Sequence, residues 1–128
     1  MLRKVLLLFL VLFVTTPVVS SQTISKDIIS AFERGDAKKL SRHLHKNLEI
    51  NLAEKKQMIS KNQATRLLED FFENNPPVSF TVTYEGTKQG SKYEIGELKT
   101  ENAVFRVNMY FIEQDEKNLI YNLTIEKV

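Results

Sequence analysis

Two histidines are the side chains in this sequence that most readily suggest chemistry. His43 and His45 lie two positions apart in a run that predicts a helix, and this spacing turns them about 200° around the helix axis onto different faces. The chain has no cysteine, and no carboxylate is fixed beside the histidines in sequence. The sequence therefore predicts no metal site and no bound cofactor. His43 flanks a predicted apolar stripe, where it is either a general base or part of the rim of the core.

Other common catalytic and nucleic-acid-binding motifs are absent from the sequence. There is no phosphate-binding glycine loop, no serine-centred nucleophile motif and no basic stripe interleaved with aromatic residues. The full chain carries 18 Lys+Arg and 16 Asp+Glu. Loss of residues 1–21 removes Arg3 and Lys4 and leaves a formal net charge of zero, so we expect no nucleic-acid partner.

Residues 1–21 predict a signal peptide. Arg3 and Lys4 give a basic start, residues 5–14 form an apolar run, and small residues follow up to Ser21. The apolar run is short for a membrane span, which takes about 20 residues. We expect cleavage after Ser20 or Ser21, export to the periplasm or the extracellular space, and no stable membrane anchor after cleavage. The alternative is an uncleaved anchor. Residues 22–128 are then expected to form a single domain without disulfides.

Three helices are predicted to carry part of the core. Ser25 is expected to cap the first helix, Gly35 to end it in a left-handed conformation, and Asp36 to cap the second. Ser60 and Gln63 match a capping box that opens the third. The residues expected to face the core are Ile28, Ile29 and Phe32, then Ala37, Leu40 and Leu44, then Ala64, Leu67, Leu68, Phe71 and Phe72.

Alternation of apolar and polar residues predicts strands. One strand lies within residues 47–54, and an antiparallel meander follows the third helix, with turns at residues 88–91 and 114–117. A change of phase between Ile95 and Leu98 predicts a bulge near Gly96. The positions expected to face inward are Val78, Phe80, Val82, Tyr84, Phe105, Val107, Met109, Phe111, Leu119, Tyr121, Leu123 and Ile125.

The order of these elements resembles the nuclear transport factor 2-like, or cystatin-like, cone. The strings SKNQATRLLEDFFENNPPVSF (60–80), KYEIGELKT (92–100) and FRV (105–107) also resemble a family of small exported Bacteroidetes proteins known as domain of unknown function 4783. The resemblance implies an α+β fold, three helices packed on a curved antiparallel sheet, and no established activity. Residues 84–86 read Tyr-Glu-Gly where the resemblance leads us to expect His-x-Gly, so no role of that histidine carries over.

Two classes of function are compatible with this sequence. The first is a non-catalytic exported domain that binds a small apolar ligand or a protein partner in the cell envelope. Its expected ligand pocket is lined by Tyr84, Tyr93, Met109 and Tyr121. The alternative is a small lyase or isomerase, similar to ketosteroid isomerase in placing an acid or base inside the cone, which would use His43, Tyr84 or Glu97. The apolar inward positions favour the non-catalytic class.

The outer face of the predicted sheet is a candidate homodimer interface. Alternation places Arg106 and Tyr110 on this face, and Ile112 adds an apolar point. Tyrosine and arginine are enriched in protein interfaces. The resemblance also favours a homodimer interface, because cone-fold proteins commonly pack this face against a second copy.

Overall fold

The computed structural model describes the backbone of residues 22–128 and the side chains from Lys26 onward. The expected signal peptide, residues 1–21, lies outside the described residues. Within the described part, no helix is long and apolar enough to cross a membrane.

The described chain contains three helices and six strands. The helices are α1 (Gln22–Arg34), α2 (Ala37–Ser41) and α3 (Lys61–Asn74). The strands are β1 (Leu44–Leu52), β2 (Lys55–Ser60), β3 (Pro77–Lys88), β4 (Ser91–Thr100), β5 (Val104–Gln114) and β6 (Lys117–Lys127). Helix α1 begins at Gln22, so the expectation that Ser25 caps it is wrong. Strand β2 was not predicted, because its residues do not show a clear alternation.

The joint between α1 and α2 has the predicted chemistry. Gly35 adopts a φ of 63°, and its backbone N–H donates to the carbonyl of Phe32 at 3.2 Å. The Asp36 carboxylate then accepts from the backbone N–H of Lys39 at 2.9 Å and caps α2. At the start of α3, Ser60 and Gln63 form the predicted capping box. These local signals determine where α1 ends and where α2 and α3 begin.

Helix α2 is shorter than predicted. It ends at Ser41, and Leu44, expected on its buried stripe, instead begins β1 and is fully buried there. The carbonyl of His43 accepts a hydrogen bond from the backbone N–H of Ile120 at 2.7 Å, which draws the chain into the sheet. His43 and His45 are therefore not on one helix, and the argument from helical spacing does not apply to them.

The six strands form one sheet in the order β2-β1-β6-β5-β4-β3. All neighbouring pairs are antiparallel except β1 and β6, which are parallel. The prediction of a purely antiparallel sheet is therefore wrong at this one pair, while the α+β fold with three helices and one sheet is confirmed.

Aromatic side chains join the helices to one face of the sheet. The ring of Phe32 in α1 stacks on Phe80 in β3 with a centroid distance of 4.6 Å. The ring of Phe71 in α3 meets Phe105 in β5 edge-on at 5.0 Å. These contacts belong to one continuous core, which confirms that the helices share a single apolar layer with the sheet.

Two bulges decide which way several strand residues face. On β3, Val82 pairs with Gly96 and Tyr84 with Ile95, so Thr83 is an extra residue. On β6, the partners of Tyr110 and Phe111 are Asn122 and Ile120, so Tyr121 is an extra residue. Each extra residue reverses the alternation beyond it. Ile120 consequently enters the core in place of Leu119, which was expected there.

Strand β4 has no change of phase, contrary to the prediction. Glu94, Gly96 and Leu98 all face the core and are buried, whereas Tyr93 and Glu97 lie on the opposite, outer face. The irregularity predicted near Gly96 lies on the neighbouring strand, opposite this glycine.

Candidate binding surfaces

Four tyrosines form a continuous row across the outer face of the sheet, which we call the tyrosine stripe. It consists of Tyr84, Tyr93, Tyr110 and Tyr121, one from each of β3 to β6. The ring centroids are separated by 5.5 Å between Tyr84 and Tyr93 and by 5.5 Å between Tyr93 and Tyr110, with nearly parallel planes. Tyr110 and Tyr121 follow at 6.5 Å in a tilted arrangement. Such offset aromatic pairs stabilise one another and hold their rings in fixed orientations.

Gly86 allows the first two rings of the stripe to lie close to the backbone. It pairs with Tyr93 in the sheet, and a Cβ atom at this position would lie 2.8 Å from Cε1 of Tyr84 and 3.1 Å from Cε1 of Tyr93. A side-chain hydrogen bond with Tyr84 raises the pKa of Tyr93, and burial adds to this effect. The Tyr93 hydroxyl is therefore neutral at physiological pH, and its ring presents an uncharged aromatic surface.

The predicted interface residues Arg106, Tyr110 and Ile112 all lie on this outer face. Ile112 is 43% exposed, a large fraction for an isoleucine. Arg106 pairs with Glu97 on one side and Glu126 on the other, which gives a row of alternating charges across β4, β5 and β6. Among the described residues, neither glutamate forms an ion pair with Arg106.

The ligand pocket expected inside the cone is not assembled by the fold. Met109 is fully buried on the inner face of the sheet. Tyr84, Tyr93 and Tyr121 lie on the outer face, and Tyr84 is 52% exposed. The prediction that these four residues line one cavity is wrong. The bulges turn Tyr84 and Tyr121 outward, and the regular alternation of β4 also places Tyr93 on the outer face.

The three alternative catalytic residues are also not brought together. Tyr84 and Glu97 lie on the outer face of the sheet, whereas His43 lies in the turn between α2 and β1. Within residues 26–128, no group of three His, Asp or Glu side chains is arranged to hold a metal ion.

A cavity of about 310 Å³ surrounds His43, and we call it the basic cleft. Its lining residues are Asp27, Lys39, Arg42, His43, Lys117, Asn118 and Leu119. His43 Nε2 lies 3.9 Å from Oδ2 of Asp27, and the Lys39 ammonium donates to Oγ of Ser30 at 3.1 Å. Burial lowers the pKa of His43. The negative charge of Asp27 raises it in part, and the positive charges of Arg42 and Lys39 lower it. The imidazole is therefore mainly neutral at pH 7.

A buried carboxylate, Glu94, was missed by the sequence analysis. It faces the core from β4, is 1% exposed, and its Oε2 lies 3.3 Å from Nζ of Lys92. The same ammonium lies over the ring of Phe111 at 5.5 Å. The alternation of Glu94, Gly96 and Leu98, extended backward from Leu98, is the signal that could have identified this residue.

A wider cleft of about 650 Å³ lies beside the end of α3. Phe71, Phe105 and Ile125 supply its apolar surface, and polar residues such as Asn51 and Lys127 lie around it. The sequence did not predict this cleft, because its walls come from α3, β1, β5 and β6 together.

Comparison with known proteins gives both family and structural matches. The family model "Domain of unknown function (DUF4783)" matches residues 25–126. A DUF4783 family protein from Bacteroides uniformis ATCC 8492 is 30% identical, with a TM-score of 0.77 over 82% of this chain and 97% of the other. One from Bacteroides fragilis YCH46 is 29% identical, with a TM-score of 0.76 over 80% and 96% of the two chains.

A more distant structural match concerns the fold alone. An NTF-2 like protein of unknown function from Silicibacter pomeroyi DSS-3 is 12% identical, with a TM-score of 0.60 over 84% of this chain and 92% of the other. A search of curated proteins gave no significant match.

Proposed function

Because the chain belongs to the DUF4783 family and has an NTF2-like fold, we propose that it is an exported, non-catalytic domain that works by binding. We further propose that the outer face of its sheet binds a second copy of the chain. The periplasm or the extracellular space is its proposed location, on the basis of residues 1–21.

The tyrosine stripe is the observation that carries this proposal. Tyrosine provides a large contact area with few rotatable bonds, so pre-ordered rings lose little conformational entropy when a partner covers them. The stripe continues toward Ile112, so that aromatic and aliphatic surface lie together on one face. Tyr84 and Ile112 are exposed and the other three tyrosines are partly exposed, and a contiguous patch of this kind is typical of a protein-interaction site.

The charges around the stripe suit a symmetric partner. In a two-fold dimer, the same patch is used by both copies, so each contact occurs twice. The row of Glu97, Arg106 and Glu126 contains both signs, and Arg106 of one copy can meet a glutamate of the other. A face with one sign of charge would instead repel its own copy.

Binding is favoured over the alternative lyase or isomerase by the placement of the candidate acid–base groups. Such an enzyme needs its acid and base within reach of one substrate. His43 is separated from Tyr84 and Glu97 by the fold, and the inner face of the sheet is packed into an apolar core that includes Met109.

The double variant Arg106→Glu/Tyr110→Ala tests the homodimer. Sedimentation velocity over a concentration series should show a dimer for the parent protein and a monomer for the variant, with unchanged circular dichroism. Arg66→Glu, an equal charge reversal on the exposed side of α3, serves as the matched control and should remain dimeric. A parent protein that stays monomeric at the highest concentration would refute the proposal.

A further inference from the structure

We propose that the basic cleft binds a small organic anion, a carboxylate or phosphate ester of metabolite size. This site is separate from the tyrosine stripe, and the inference does not depend on the homodimer.

The charge of the cleft is the first reason. Lys39 lies in α2, Arg42 directly follows this helix, and Lys117 begins β6, so three cations converge from two parts of the chain. Asp27 from α1 is the one carboxylate among the lining residues, and its side chain is 57% exposed. The cleft therefore has an excess of positive charge, although the protein without residues 1–21 has a formal net charge of zero. Lys39 is half-buried, and such a partly enclosed cation interacts with an anion more strongly than the exposed Arg42 and Lys117 do.

The cleft is also built to hold its polar groups in place. The hydrogen bond to Ser30 fixes the ammonium of Lys39, which is half-buried. The His43 side chain is 17% exposed, and its backbone N–H donates to the carbonyl of Leu40 at 2.9 Å. Groups that are ordered before binding lose less entropy when a ligand arrives.

The size and lining of the cleft define the class of ligand. A volume of about 310 Å³ lies at the lower end of the range for small-molecule sites, which is about 300 to 1,000 Å³. Leu119 provides apolar surface, and the Asn118 amide provides a neutral donor and acceptor. A compact molecule with one anionic group and a small apolar part matches both features.

Protonation of His43 should couple to binding. The charged groups that face it are Asp27 from α1, Lys39 from α2, Arg42 after α2 and Lys117 from β6. Burial keeps the imidazole largely neutral at pH 7, and a bound anion stabilises the imidazolium form. Ligand affinity should therefore increase as the pH falls from about 7.5 to 5.5, provided that the anion itself keeps its charge.

Nuclear magnetic resonance titrations with phenyl phosphate, benzoate and benzyl alcohol test the proposal. We expect at least one of the two anions to shift the amide signals of Lys39, His43 and Asn118, while the neutral alcohol leaves them unchanged. The anion that binds identifies whether the cleft prefers a phosphate ester or a carboxylate. If neither anion binds more tightly than benzyl alcohol, the proposal is wrong.

Charge-removing variants connect the binding to this cleft. Arg42→Gln and Lys117→Gln should each weaken the anion about three- to tenfold. Lys46→Gln, which removes an exposed lysine outside the cleft, should change the affinity less than twofold. His43→Gln should retain binding at pH 7.5 but lose the increase at low pH. An equal loss of affinity in the Lys46 variant would show non-specific attraction and overturn the inference. The dispersion of the amide signals verifies that each variant is folded.

Discussion

Gly96 lies where the structure leaves no room for a side chain, so Gly96→Ala should destabilise the protein. This glycine faces the core from β4 and pairs with Val82. A Cβ atom would lie 2.6 Å from Cε1 of Phe80 and closer still to its Cζ. Phe80 cannot easily move away, because it is 4% exposed and stacks on Phe32.

Two opposing effects determine the size of the change. Overpacking of a well-filled core costs about 1 to 3 kcal/mol. Replacing glycine by alanine also restricts the unfolded chain, which returns about 0.4 to 1 kcal/mol. We therefore expect a net loss of about 1 to 2 kcal/mol in the free energy of unfolding, which corresponds to a decrease in Tm of about 4 to 16 °C for a domain of about 100 residues.

A double-mutant cycle in urea denaturation identifies the clash as the cause. Phe80→Leu shortens the side chain, so Gly96→Ala should cost about 1 kcal/mol less in the Phe80→Leu background than in the parent. Gly90→Asn is the control, because nothing lies within 4 Å of a Cβ atom at Gly90 and asparagine tolerates its φ of 82°. The reasoning fails if Gly96→Ala is as stable as the parent, or if its cost is the same in both backgrounds.

Two further predictions concern the core and the basic cleft. Phe71→Ala should lower the free energy of unfolding by about 3 kcal/mol, because the ring packs on Phe105. Glu73→Ala, on the exposed side of α3, should lower it by less than about 0.5 kcal/mol. Equal urea midpoints for the two variants would contradict this prediction. Since burial lowers the pKa of His43 below 6.5, the unfolded state takes up the proton first and stability decreases as the pH falls through about 6.5. His43→Gln should flatten this part of the stability curve, and an unchanged slope would exclude His43 as the group responsible.

Signals confined to neighbouring residues predicted the structure well. The Gly35-Asp36 joint, the Ser60–Gln63 capping box and the turns at residues 88–91 and 114–117 occur where the sequence placed them. In each case a side chain or a glycine acts on backbone groups within three or four residues. A short window of sequence therefore contains both partners of the interaction.

The directions of the tyrosines could not be predicted in the same way. Bulges at Thr83 and Tyr121 arise from the pairing of two strands, and nothing within either strand marks the extra residue. One such residue reverses the facing of those beyond it. The tyrosine stripe therefore lies on the outer face, whereas simple alternation had placed Tyr84 and Tyr121 inside.

The basic cleft could not be predicted from the sequence for a related reason. Its cations come from α2 and from the start of β6, and they meet because the His43 carbonyl pairs with Ile120. Residues so distant in the chain share no local pattern. The sequence identified His43 as a candidate but not its charged neighbours.

The parallel pairing of β1 with β6 has a consequence for how the protein is made. The ribosome produces β1 before β3, β4, β5 and β6, yet β1 joins the rest of the sheet through β6. A nascent chain that lacks β6 leaves the β1–β2 hairpin detached from β3, β4 and β5 in the sheet, so the sheet is completed only after β6 has been made. For a protein that is exported as proposed here, this delay keeps the chain unfolded for longer and thus able to pass through a narrow translocation channel.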